Sequence, residues 1–532
     1  MKLGSPVNFR DMEEVTRRRL LRDGAVAGAG LGLAGSGALG SLAGSAGAAG
    51  LGGVTAGKGS KAPEYAYGFR SLTEEVRLPR VPVDGVLPKW LRGVLLRNGP
   101  ALFEIGEQKL NHWFDGLAML HAFSFGGGKV SYANRFLRSS NYESWKRDGV
   151  MEYSEFGTDP IPDPCRAIYS GVSSLPVLGP VPNANVSIER LGKAFRAHTE
   201  IPVPVRFDPK TLKTLGVDGE VPQGRLGTAH PHHDPATGER FSYECELIPP
   251  SGVRVVSERK GKRRELAFIP QDRPGYLHSF GLTRRYVAVF TQPWEFDLAK
   301  FLAPDRGPIA TNYVWDGSVP SHIHLVDRKR GWVAASFELD PFFVFHHINA
   351  FDDGDKVVLD VCAHKDSSAV DALYLKNLRS PKQRIPQAAP RRITVDPSSG
   401  KVRIRDLAEG NIELPQKDYD TVNARPYRYA YGVGARKPKK DGFINQVAKL
   451  DIKRGEMTYW RERGSYPGEP VFVRRPGSTR EDDGVLLSVV FDAGRRTSYL
   501  LVLDARDLSE IARAAVPHHI PFGFHGIHAE KV

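Results

Sequence analysis

Four histidines share one kind of setting. His230 lies in LGTAHPHHDP, His278 in PGYLHSFGLT, His346 in PFFVFHHINAF and His525 in PFGFHGIHAEKV, each beside an apolar run and a Gly, Pro or small polar residue. Neutral imidazole is a good ligand for Fe, Zn, Cu or Ni, and the lack of an adjoining cysteine disfavours a soft-metal site. Four imidazoles with no carboxylate ligand leave positions open on a six-coordinate ion, which suits Fe(II) and oxygen chemistry. The four are far apart in the chain, so they are not the local pair of an HExxH helix. A single buried histidine is more often a hydrogen-bonded core side chain than a ligand. With 16 histidines in the chain, spacing alone leaves both readings open.

Residues so distant converge only if the fold brings the starts of many strands to one point. From about residue 62 onward, short apolar or alternating runs recur between turn residues, among them WLRGVLLRNG, KVSYANRFL, YVAVFTQP, GWVAASFELD, KVVLDVCAH and GVLLSVVFD. Val, Ile, Phe, Tyr and Leu at period two, bounded by Gly, Asp and Pro, predict strands. These strands are too many for one sandwich. A propeller or a large barrel buries them with few exposed edges, and the inner strands of a propeller line one axis. Helix is expected only over 366–379 and near 298–303. No boundary interrupts residues 58–532, which are expected to form one domain.

Composition narrows the function classes. Apolar residues make up 41% and charged residues 25%, ordinary for a globular protein, with 55 Gly and 39 Pro for turns. The net charge is +13. The basic runs are short, as in RKGKRR (259–264), and no zinc finger, phosphate-binding glycine loop or base-stacking motif accompanies them, so no nucleic-acid partner is expected. Cys165, Cys245 and Cys362 match no CxxC site and read as structural thiols. Residues 16–22 read TRRRLLR, and 24–57 carry no charge and are mostly Gly, Ala, Leu, Ser and Val. A basic stretch before a weakly apolar one resembles a twin-arginine export signal rather than a transmembrane span. Residues 1–57 are therefore set apart, and the protein is expected in the periplasm or outside the cell envelope.

The ordered blocks LRNGPALFEIG (96–106), HWFDGLAMLHAFSF (112–125), TAHPHHDP (228–235), YLHSFGLT (276–283), FHHINAF (345–351), YAYGVG (429–434), SYPGEPVFV (465–473), EDDGVLLSVV (481–490) and PFGFHG (521–526) resemble the carotenoid cleavage oxygenases. The resemblance spans roughly 65–532 and is nearest the animal β-carotene oxygenase and retinoid isomerohydrolase branch. It implies an all-β, seven-bladed propeller with a few short helices capping the iron-bearing face. It also implies Fe(2+) held by His230, His278, His346 and His525, with Glu200, Glu413 and Glu469 holding three of those imidazoles and His230 left without a glutamate. The family's H-x-x-N spacing to Asn349 selects His346 over His347, and His232 and His233 are left out. Thr199 is expected beside an open iron position and Tyr276 facing the substrate.

The activity implied is cleavage of a C=C bond of a carotenoid or apocarotenoid by O2, giving two aldehyde or ketone products, with the central 15,15′ bond the first choice. The alternatives are a stilbene-type dioxygenase, a retinyl-ester isomerohydrolase and a non-enzymatic lipid-binding propeller. A long apolar substrate drawn from a membrane predicts peripheral membrane docking, with 169–182 and 294–304 as candidate apolar entrances. The sequence does not give the oligomeric state.

Overall fold

The computed structural model describes residues 62–161, 178–303 and 306–532. Seven antiparallel sheets of four to six strands are the blades of a propeller, and two small two-stranded sheets, Glu104–Ile105 with Gln108–Lys109 and Trp294–Phe296 with Tyr313–Trp315, lie outside them. Blade one holds the strands Arg77–Leu78, Gly93–Leu102, Leu117–Gly126 and Lys129–Phe136. Blade two runs from Ser187 to Val217, blade three from Arg225 to Pro270 and blade four from Gly281 to Leu339. Blade five runs from Phe343 to Asp406, blade six from Glu413 to Trp460 and blade seven from Ser465 to Ala515.

Two strands break this order and close the ring. The early strand Val83–Gly85 pairs with Glu510–Ala515 at the outer edge of blade seven. The last strand, Gly526–Ala529, pairs with Gly93–Leu102 as the innermost strand of blade one, in the register Arg97↔Gly526 and Leu96↔Ile527. Each end of the chain therefore completes a blade begun by the other.

The sequence pattern follows from how blades stack. A middle strand lies between two neighbouring blades, so both its faces are covered. Lys356–His364 (KVVLDVCAH) is accordingly buried from its second residue on. The outer strand Trp332–Leu339 has neighbours on one face and alternates exposed and covered positions instead. The tight hairpin Leu117–Gly126/Lys129–Phe136 turns on Gly127 and Gly128, whose φ angles of 57° and 73° favour glycine. Between blades one and two, Leu96, Leu120, Ile188, Phe195 and Phe207 form one apolar cluster. Each such side chain, fully buried, contributes about 1.5–3 kcal/mol of transfer free energy.

Helices are few and short. The expected helix at 366–379 is two single turns, Ser368–Asp371 and Leu375–Leu378, and that near 298–303 is Leu298–Leu302. The helix Ser140–Asp148 was not expected. Ser139 caps it by accepting from Tyr142 N at 3.2 Å, and Gly149, at φ 71°, ends it. The apolar stretch 294–304 turns inward over its described part. Trp294, Phe296 and Phe301 are buried and only Leu302 is an exposed large apolar side chain there, so it makes a smaller entrance patch than expected. Cys245 and Cys362 are free and buried. Cys165, most of 169–182 and the export-signal segment lie outside the described residues. No helix among the described residues is long and apolar enough to cross a membrane.

Candidate metal centre

Strand starts on the propeller axis carry the site. His230 sits between two short inner segments of blade three, Arg225–Gly227 and His232–His233. His278 precedes the inner strand of blade four, and His346 lies within that of blade five. His525 is the residue before the closing strand Gly526–Ala529. One ligating atom from each of the four lies within 4.8 Å of the others. His230 Nε2 is 3.0 Å from His278 Nε2, and His346 Nε2 is 3.1 Å from His525 Nε2.

Three of the imidazoles are oriented from behind by carboxylates. His278 Nδ1 lies 2.6 Å from Glu200, His346 Nδ1 2.5 Å from Glu413, and His525 Nδ1 2.7 Å from Glu469. An ionised carboxylate only accepts, so each Nδ1 carries the proton and each Nε2 presents a lone pair inward. Among the described residues no carboxylate reaches His230. The blades thus share the work. Blades one, three, four and five give the imidazoles. Glu200 follows a strand of blade two, and Glu413 and Glu469 lie on the inner edges of blades six and seven.

The electrostatics favour the neutral form of two of these imidazoles. Burial lowers His346 to about 4 despite the raising effect of Glu413, with the His278 and His525 rings adding to the depression. Burial and the three other imidazoles push His230 well below its usual range. Burial opposes ionisation of Glu413, yet His346 and His364 hold its carboxyl well below the carboxylate range.

This donor set fits a metal ion. The Nε2 atoms of His346 and His525 are both lone-pair acceptors, so a 3.1 Å contact between them is unfavourable until a cation lies between them. Two nitrogens at right angles, each about 2.1 Å from a shared metal, stand roughly 3 Å apart.

Three supporting contacts were not foreseen. Arg97, 5% exposed, pairs with Glu469 through Nη1 and donates from Nη2 to the Phe524 carbonyl at 2.8 Å. Gln416 donates to Glu469 at 2.7 Å, and His364 Nε2 contacts Glu413 at 2.8 Å. The signal for Arg97 was a charged residue inside the apolar run LLRNG. A further contact, from Tyr276, corrects an expectation. Tyr276 does not line the cavity described below. Its ring packs on Trp294 and Tyr313, and its hydroxyl donates to Glu200, so it steadies the carboxylate behind His278. The neighbouring histidines left out of the set point elsewhere. His232 contacts Tyr419 and the Phe280 carbonyl, His233 contacts Glu189, and His347 contacts Ser279.

Beside the imidazoles opens a cavity of about 1680 Å³, counting its mouth. His278, His346, His525 and Thr199 stand on its wall. Trp113, Phe114, Phe156, Phe345 and Phe524 make much of the rest apolar. The arrangement can hold a metal at one end of a largely apolar chamber.

Comparison with known proteins points the same way. The family model described as retinal pigment epithelial membrane protein matches residues 69–530. The mitochondrial carotenoid-cleaving dioxygenase of Mustela putorius furo is 34% identical over 517 residues, covering 86% of this chain and 94% of its own. The β,β-carotene 15,15′-dioxygenase of Rattus norvegicus is 32% identical over 516 residues, covering 86% and 90%. The crystal structure of the cobalt-substituted Synechocystis apocarotenoid oxygenase superposes with a TM-score of 0.77 at 28% identity, covering 88% of this chain and 98% of its own.

Proposed function

This chain belongs to the retinal pigment epithelial membrane protein family of carotenoid cleavage oxygenases, and from that membership we propose that it is an Fe(II) dioxygenase cleaving a C=C bond of a carotenoid or apocarotenoid. The observation that carries the reading is the convergence of four inward-facing imidazole Nε2 atoms, three backed by glutamates, at the end of an apolar chamber. His230, His278, His346 and His525 would hold the iron. Bound there, ferrous iron supplies the activation of O2 for addition across a double bond, with two carbonyl products.

The remaining work falls to the protein's own residues. Glu200, Glu413 and Glu469 fix the imidazole tautomers. Thr199 shapes the space beside the cluster. Phe114, Phe156, Phe345 and Phe524 exclude water and grip a polyene along its length. The central 15,15′ bond is the first to test, a choice supported by the printed activity of the Rattus relative. A water-insoluble substrate favours docking at a membrane surface. The TRRRLLR segment and the uncharged stretch after it support export before that encounter.

The test is to incubate the iron-loaded protein with β-carotene, then with apocarotenals, in detergent under 18O2, and to identify the products by liquid chromatography and mass spectrometry. Retinal alone establishes a symmetric central cut, and unequal labelled aldehydes establish an eccentric one. Iron-replete protein that leaves every polyene intact, but opens a stilbene or isomerises a retinyl ester, overturns the carotenoid reading.

A further inference from the structure

The chamber has two chemically different regions. One is the imidazole cluster. The other is a polar patch formed by the segment between blades one and two, where Ser140, Asn141, Tyr153 and Glu155 reach the cavity wall.

Much of this polarity is already satisfied within the protein. Asn141 Oδ1 accepts from the backbone N–H groups of Glu152 (3.2 Å) and Tyr153 (3.0 Å). Its Nδ2 donates to the Tyr153 carbonyl (3.0 Å) and to Glu155 Oε1 (2.7 Å). Ser140 Oγ accepts from Val181 N at 2.9 Å. Glu155 is different. Its carboxyl accepts from Asn141, and among the described residues no cation pairs with it. Asn183 stands near but directs its amide to the Asp115 and Gly116 carbonyls, each at 3.1 Å.

The charge nearby is of the wrong sign to hold a carboxylate. Asp115 is buried and satisfied by the N–H groups of His112 (2.9 Å) and Gly157 (2.8 Å) and by the Thr158 hydroxyl (2.6 Å). Burial first, and then the Asp115 charge, push the Glu155 carboxyl well above its usual range. Burial therefore favours the neutral acid form of Glu155, which puts an O–H donor on the wall of a largely apolar chamber. A hydrocarbon offers that donor nothing, whereas an oxygen on the substrate does.

We propose that Glu155 is the recognition point for an oxygen-bearing end of the substrate, a hydroxyl or carbonyl at one terminus of the polyene. The inference rests on the polyene reading above and deepens it. Anchoring one end also sets which double bond reaches the imidazoles, so Glu155 fixes the cleavage position as well as the preference.

The test compares zeaxanthin with β-carotene, which share a polyene and differ by their ring hydroxyls. With the full-length iron-loaded protein, one such hydrogen bond predicts a roughly tenfold advantage in kcat/KM for zeaxanthin. Glu155→Leu brings the ratio near one and scatters the cleavage position. Glu155→Gln, which keeps an N–H donor, retains most of the preference. The same ratio is read without turnover, from quenching of tryptophan fluorescence in metal-free protein under nitrogen. A wild-type protein that binds both polyenes equally, or a Leu variant with the wild-type ratio, overturns the assignment. The binding ratio decides the role of Glu155 even if both polyenes go uncleaved, an outcome that would instead remove the proposed activity. The wild-type ratio stands by itself should the Leu variant fail to fold.

Discussion

Replacing Glu469 by Gln should uncouple the C-terminal segment from the metal without unfolding the propeller. Glu469 is fully buried and accepts from four donors, one for each lone-pair direction of a carboxylate. Oε1 takes Gln416 (2.7 Å) and His525 Nδ1 (2.7 Å). Oε2 takes Gly526 N (2.8 Å) and the Arg97 guanidinium. Burial alone would raise this carboxyl, but His525 and Arg97 outweigh it and hold it below the usual range, so the wild-type group is ionised.

A Gln amide keeps one oxygen, so two of the four donors must face an NH2. If these are Arg97 and Gly526, a buried guanidinium is left unpaired, at a cost of about 3–5 kcal/mol. If they are Gln416 and His525, Gln416 can flip its amide to accept. His525 can then accept at Nδ1 and move its proton to Nε2. The second arrangement is cheaper, and it removes one inward lone pair from the cluster. Metal affinity should therefore fall roughly 10- to 100-fold, while unfolding free energy falls by only about 1–3 kcal/mol. The assay is titration of metal-free protein with cobalt(II), followed by absorption and calorimetry, with thermal unfolding alongside. In a His525→Ala background the same change should add little, because its route to the metal is gone. Wild-type affinity in Glu469→Gln, or an equal loss in both backgrounds, refutes the reasoning.

Three other perturbations test the surrounding structure. Lys417 is buried with its ammonium on the Ile348 carbonyl (2.9 Å), and burial lowers it from 10.5 to about 7. Between those values the unfolded chain binds the extra proton, so stability rises with pH from about 7 to 10. Lys417→Met should flatten that rise in urea titrations and add about 2–4 kcal/mol at pH 7, and an unchanged pH slope refutes the assignment. Tyr276→Phe removes the hydrogen bond from its hydroxyl to Glu200, worth about 0.5–3 kcal/mol. It should weaken cobalt binding and leave KM unaltered, whereas a raised KM with normal metal binding would restore Tyr276 to the substrate wall. In Gly99→Ala the new Cβ would stand 2.5 Å from the Cα of Gly523, backbone that cannot swing aside. The overpacking should cost about 1–3 kcal/mol and make the last residues sensitive to protease, and a variant as stable and as resistant as wild type would place the approach elsewhere.

Sequence carried the strand content well and the facing of side chains unevenly. Middle strands such as KVVLDVCAH and outer strands such as WVAASFEL have distinct patterns because one is covered on both faces and the other on one. His346 and His347 were separated instead by the motif spacing to Asn349, for the strand is irregular on both sides of His347. Tyr276 lies before the strand Gly281–Leu282, outside any regular ladder, so alternation assigns it no face and its contact with Glu200 was not legible. Arg97 was missed for another reason. Its charge inside a buried strand was a local signal, but its partner Glu469 lies in blade seven, so the sequence did not show what it pairs with. Glu155 likewise reads as a loop carboxylate until the chamber wall is known. The four histidines were legible through motif resemblance, while spacing alone left them open.

The placement of His525 couples the site to the closing of the ring. Blade one lacks its innermost strand until Gly526–Ala529 pairs with Gly93–Leu102, and blade seven lacks its outer edge until Val83–Gly85 arrives. The residue that brings the fourth imidazole is therefore next to the strand that completes the ring. Glu469 grips both, through the His525 side chain and the Gly526 N–H, and Arg97 ties the same carboxylate to the Phe524 carbonyl. An open ring cannot present four imidazoles, and a ring holding a metal cannot open without losing a ligand. A metal present at a thousand times its dissociation constant adds about 4 kcal/mol to the closed state. That is comparable to the cost of breaking the buried Arg97–Glu469 pair. The apolar character of PFGFHG follows from this double duty: Phe522 and Phe524 pack into the core that also forms the chamber wall. The joint that closes the ring and the candidate metal centre are thus built from the same few residues.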